Sequence, residues 1–100
     1  MKKALFIGIT DYPTASLKGC IKDATSLSRI LERNGDGSPN FSTRLITSSD
    51  KTITRSLLRE EIEKLFNGDS DIALLYFSGH GFIKSTGGYL VTTDAKKYDE

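Results

Sequence analysis

At 100 residues the chain holds one domain at most, with room for a modest core. Its 37% hydrophobic and 27% charged residues are those of an ordinary globular protein. A net charge of +1, with Lys and Arg scattered among acids, removes the electrostatic case for binding nucleic acid or a membrane surface.

Met1-Lys2-Lys3 precedes a short apolar stretch, but residues 4–9 are too few for a signal peptide, and Asp11 follows without a small-residue cleavage site. The single cysteine excludes an internal disulfide and fits a reducing compartment, so a cytoplasmic location is expected. Residues 3–9 are nearly continuous in apolar character and read as a first strand, central in its sheet. A loop through Asp11-Tyr12-Pro13 leads to a helix over about residues 20–33. Ile21, Ala24, Leu27, Ile30 and Leu31 form its apolar stripe. Asn34-Gly35 stops it, and residues 34–40 are turn chemistry throughout.

Residues 41–46 read as a second, shorter strand. Thr52 or Thr54 can cap a second helix running to about Phe66, with Ile53, Leu57, Leu58, Ile62, Leu65 and Phe66 facing inward. Asn67-Gly68 ends it, and residues 72–77 read as a fully buried parallel strand. Beyond Gly81, extended pieces at 82–84 and 88–91 flank a hairpin turn at Ser85-Thr86-Gly87. The order β-α-β-α-β-hairpin predicts an α/β fold: a three-layer, doubly wound, mainly parallel sheet. Three main strands make such a sheet thin, and Tyr98-Asp99-Glu100 is no domain end. Residues 1–100 are therefore expected to be the first part of a larger domain, incomplete on its C-terminal side.

The chemistry concentrates in Ser78-Gly79-His80-Gly81, directly behind the third strand. His80 is the only histidine, with a glycine on each side. The carboxyl end of a parallel strand is where open α/β sheets build active sites, and an imidazole titrating near neutrality suits a proton shuttle. The competing reading is a capping or core histidine satisfied by backbone. Cys20 is the one possible thiol nucleophile, near the start of the first helix, where the dipole favours an anion. A dyad with His80 is conceivable, because the first and third strands would end on one edge. The reading favoured for Cys20 is a small packing residue. Asp23, three residues on, is either a first-turn acid complementing the dipole or an anionic group facing the strand-end crevice, suited to a basic side chain. Asn34, Asp36, Ser38 and Asn40 alternate like a calcium loop but lack its glycine and terminal glutamate at the required offsets. Neither common phosphate-binding loop and no zinc-like cluster is present, so no metal or cofactor is expected.

Three segments together resemble the caspase/metacaspase superfamily of cysteine endopeptidases (peptidase family C14) in its bacterial branch. They are Gly8-Ile9-Thr10-Asp11-Tyr12, Leu17-Lys18-Gly19-Cys20-Ile21-Lys22-Asp23-Ala24, and Tyr76-Phe77-Ser78-Gly79-His80-Gly81. The resemblance implies a caspase-like fold in which His80 is the catalytic histidine and the Gly81 N–H is half of the oxyanion hole. It further implies that Cys20, Asp23 and Ser78 line an acidic pocket for Arg or Lys before the cut. Asp23 argues against the cleavage after Asp made by classical caspases.

Two departures follow. The family's nucleophile lies roughly 50 residues beyond the histidine, past Glu100, so Cys20 matches a pocket position and the chain alone should not hydrolyse peptides. The acidic run of calcium-dependent metacaspases is replaced by residues 82–88, with Asp94 as a single acid. The partners implied are a peptide or protein substrate and the missing C-terminal half, in the same chain or a processed second one. The alternatives are a catalytically inactive caspase-like module that binds a partner, and an unrelated α/β hydrolytic enzyme using Cys20 itself.

Overall fold

Both faces of the segment Ala4-Leu5-Phe6-Ile7 are apolar, and all four side chains are buried, which requires a strand covered from above and below. In the computed structural model, which describes residues 1–12, 16–85 and 87–94, that strand is β1 (Lys2–Gly8), and it is central as expected. It pairs in parallel with β2 (Ser42–Thr47) on one side and β3 (Ile72–Ser78) on the other, in the order β2-β1-β3. Helix α1 (Cys20–Glu32) covers one face, where Ala24, Leu27 and Leu31 meet Ala4, Phe6, Leu74 and Tyr76. Helix α2 (Arg55–Phe66) covers the other, where Leu58 and Leu65 meet Leu5, Ile7, Ile46, Leu75 and Phe77. The result is the three-layer parallel α/β arrangement read from the sequence.

Several details differ. Ile30 and Phe66 are exposed, at 67% and 58%, because each falls about 100° round its helix from the buried stripe. Of the two threonines offered as caps for α2, Thr54 does the work: its Oγ1 accepts the Leu57 N–H at 3.1 Å. The third strand is not fully buried. From Ala73 to Ser78 it is half-buried and Ile72 is exposed, because β3 pairs with β1 on one side only among the described residues.

The hairpin is a separate two-stranded sheet, β4 (Gly81–Lys84) against β5 (Gly87–Leu90), and Lys84 pairs with Gly87. Gly87 therefore belongs to the strand, not the turn. Val91, expected to end that strand, instead sits just past it in the core beside Ile53 and Tyr12. Asp94 then returns to α2, accepting the Arg55 N–H and the Thr92 hydroxyl. Pro13, Thr86 and Tyr98-Asp99-Glu100 lie outside the described residues.

The segment read as turn chemistry closes on itself. Asp36 Oδ1 accepts both the Ser38 N–H and its hydroxyl, which holds the Asp36 carboxyl below its ordinary range. On α2, Glu61 is buried, yet it receives Arg44 Nε at 2.6 Å and Nη2 at 2.9 Å. Those two hydrogen bonds hold its carboxyl below the usual carboxylate range.

Candidate active site

The parallel register sets Gly8 level with Thr47 on β2 and with Ser78 on β3, so the three strands end together. The loops that follow share one rim, the carboxyl edge where open α/β sheets carry their chemistry. Ser48 ties two of them: its Oγ donates to Asp11 Oδ2 at 2.7 Å and accepts the Thr10 N–H at 3.1 Å. The third strand is tied to the first by the Ile9 N–H, which donates to the Ser78 carbonyl at 2.9 Å.

His80 stands on this rim, half-buried, between β3 and β4. Its carbonyl accepts the Val91 N–H at 3.0 Å, and its own N–H donates to Tyr12 Oη at 3.0 Å. Tyr12, buried at 5% exposure, donates that hydroxyl to the Val91 carbonyl at 2.8 Å. The rings of Tyr12 and His80 lie 4.5 Å apart, tilted by 56°. Since Gly81 pairs with Leu90, His80 and Val91 form the next pair of the hairpin ladder. One of that pair's two bonds is direct, and the tyrosine hydroxyl is inserted into the other. Antiparallel pairs alternate between bonded and non-bonded, so the Gly81 N–H is directed away from β5.

Of the three residues expected to line a pocket, Cys20 and Ser78 lie beside Gly8. Cys20 opens α1 and is buried, and its carbonyl oxygen would lie 2.8 Å from a Cβ at Gly8. Ser78 is the β3 neighbour of Gly8, half-buried at the strand end. Asp23 is exposed in the first turn of α1, its N–H donating to the Gly19 carbonyl. Cys20 is a free, buried cysteine. The structure therefore brings Cys20 and Ser78 to one glycine and seats His80 and Gly81 at the hairpin mouth, with the loop carrying Tyr12 linking the two groups.

Tyr12 is the residue that sequence reasoning passed over as a site residue. Its signal was position alone, an aromatic ring in the loop directly behind a buried strand. Gly79 has a physical explanation in it, since a Cβ there would stand 2.5 Å from Tyr12 Oη and 3.0 Å from the Phe77 ring. Among the described residues no group of three His, Cys, Asp or Glu could hold a metal ion. A cavity of about 360 Å³ lies at the opposite end of the strands, lined by Lys3, Arg44, Glu61 and Lys64 among others, far from the rim chemistry. No helix of the described residues is long and apolar enough to cross a membrane.

What this edge offers is a half-buried imidazole with a fixed backbone, a backbone N–H turned outward beside it, and a first helical turn carrying a carboxylate. No curated protein and no solved structure matches the chain. The family model of the peptidase C14 caspase domain matches residues 1–99. The chain belongs to the caspase-domain family of peptidases.

Proposed function

We propose that this chain supplies the catalytic histidine, one oxyanion donor and the substrate pocket of a cytoplasmic cysteine endopeptidase that cuts after Arg or Lys. The observation that carries the reading is His80, seated on the carboxyl rim with its backbone clamped and glycines on both sides. In this reading the nucleophilic cysteine lies beyond residue 100. A parallel strand added to the open side of β3 would end beside His80.

The chemistry needs only a thiol, an imidazole and N–H donors, and no cofactor. The imidazole takes the thiol proton as the sulfur attacks the scissile carbonyl carbon. The developing oxyanion accepts from the Gly81 N–H, whose direction away from β5 suits that task. His80 then gives its proton to the leaving amine, and the C–N bond breaks to leave a thioester. A water, deprotonated by His80, hydrolyses the thioester and restores the thiol. The Asp23 carboxylate supports a basic residue before the cut, with Cys20 and Ser78 contributing the walls beside Gly8.

The test is a set of fluorogenic peptides with Arg, Lys or Asp before the cut, assayed with the intact natural protein and its His80→Ala variant. Cleavage after Arg and Lys, lost with the imidazole, is expected. Cleavage after Asp would contradict the pocket assignment, and a folded intact protein that cleaves no peptide would make this a partner-binding module.

A further inference from the structure

Tyr12 does more than fill core. It is buried, yet its hydroxyl reaches 68 residues along the chain to the His80 N–H and 79 residues to the Val91 carbonyl. Those are the two groups whose direct bond would close the His80–Val91 pair, so the hydroxyl holds that pair open by the width of one oxygen. The same residue sets its ring 4.5 Å from the imidazole. Backbone and side chain of His80 are thus fixed by one partner at once. We propose that Tyr12 is a positioning residue for catalysis, its hydroxyl setting the backbone at His80 and its ring setting the plane of the imidazole.

Gly79 is the counterpart of this device. It is not among the glycines with positive φ, so its backbone conformation tolerates a side chain. What forbids one is space: a Cβ would meet the tyrosine oxygen at 2.5 Å, while the Phe77 contacts at 3.0 and 3.1 Å involve the movable tip of a ring. Gly79→Ala therefore displaces the hydroxyl. In a Tyr12→Phe background that oxygen is gone, and the added methyl needs only the tip of the Phe77 ring to give by a few tenths of an ångström. The two substitutions should be strongly non-additive, as two routes to one lesion.

This inference rests on the proposed role of His80, and the experiment separates the two. Steady-state kinetics of the intact natural protein, normalised by active-site titration, would compare wild type, Tyr12→Phe, Gly79→Ala, the double variant and His80→Ala. Hydrogen exchange at the His80 amide would be followed in the same proteins. Tyr12→Phe should lower kcat about tenfold with KM within about twofold, since misplacing a catalytic group by a fraction of an ångström acts on the chemical step. Gly79→Ala should cost at least as much in wild type and less than about threefold in the Tyr12→Phe background. The His80 amide should exchange about tenfold faster once its acceptor is removed. Additive losses, or a kcat unchanged in folded Tyr12→Phe, would overturn the positioning role while leaving His80 catalytic. Unchanged amide exchange would overturn the bridge itself. Full activity of His80→Ala would instead sink the reading of His80, and the positioning role with it.

Discussion

Gly8→Ala is the substitution through which the packing of α1 and the shape of the pocket can be tested together. The added Cβ would lie 2.8 Å from the Cys20 carbonyl oxygen, 3.0 Å from Ile21 Cα and 3.1 Å from Ala24 Cβ. All three atoms belong to the first turns of α1 and none is the far end of a flexible side chain, so the helix itself must retreat. Restoring an ordinary contact of 3.4 Å to the carbonyl needs a shift of 0.6 Å (3.4 less 2.8). Overpacking of this kind costs about 1–3 kcal/mol. Against it stands a gain of about 0.5–1 kcal/mol, because alanine has fewer unfolded conformations to lose than glycine. The clash wins, and a net loss of about 1–2 kcal/mol is expected.

Urea unfolding at neutral pH measures this, with the slope checked for constancy. Gly35→Ala serves as the control, since no heavy atom lies within 4 Å of the added Cβ and its φ is not positive, so it should be neutral or slightly stabilising. The same retreat moves Cys20 and Asp23, so in the proposed pocket KM for an arginyl peptide should rise more than kcat falls. A Gly8→Ala protein as stable as the Gly35→Ala control would refute the close approach of α1 to β1.

The ion pair on α2 makes a prediction about pH. The hydrogen bonds from Arg44 hold the Glu61 carboxyl below the usual carboxylate range, so its contribution is present above the unfolded-state pKa and is lost as pH falls through the lower folded-state one. Arg44→Ala should cost about 1–2 kcal/mol at pH 7, less than a fully buried pair would because Arg44 is 57% exposed, and the gap from wild type should narrow toward pH 3 in urea titrations. Thr54→Ala should cost about 1 kcal/mol by the same assay, whereas Thr52→Ala should stay within about 0.5 kcal/mol, because Thr54 is the one capping α2. In the proposed pocket, Asp23→Asn should lower kcat/KM about tenfold for arginyl peptides and leave peptides with an uncharged residue at that place unchanged.

The elements that can be read locally are the ones the sequence shows. An apolar run at β1, helical spacing at Ala24, Leu27 and Leu31, and Asn67-Gly68 after α2 each announce themselves within a few residues. The position of His80 at a strand end is local in the same way. That β3 pairs on one side only among the described residues is not, because a run such as Ile72–Phe77 has the same composition whether one or both of its sides are paired. Glu61 reads as an ordinary surface acid until β2 brings Arg44 over it, 17 residues away in sequence. The gathering of Cys20 and Ser78 at Gly8 depends on parallel register, which no local pattern encodes. Tyr12 and His80 meet across 68 residues, so their bridge is visible only in three dimensions.

The most direct test of the central claim is to label the intact natural protein with a peptidyl chloromethyl ketone ending in arginine and to map the modified cysteine by mass spectrometry, beside the His80→Ala variant. A Cys–His endopeptidase with a pocket for basic residues predicts an adduct on a cysteine beyond residue 100, lost when the imidazole is removed. An adduct on Cys20, or labelling that survives His80→Ala undiminished, would contradict the account.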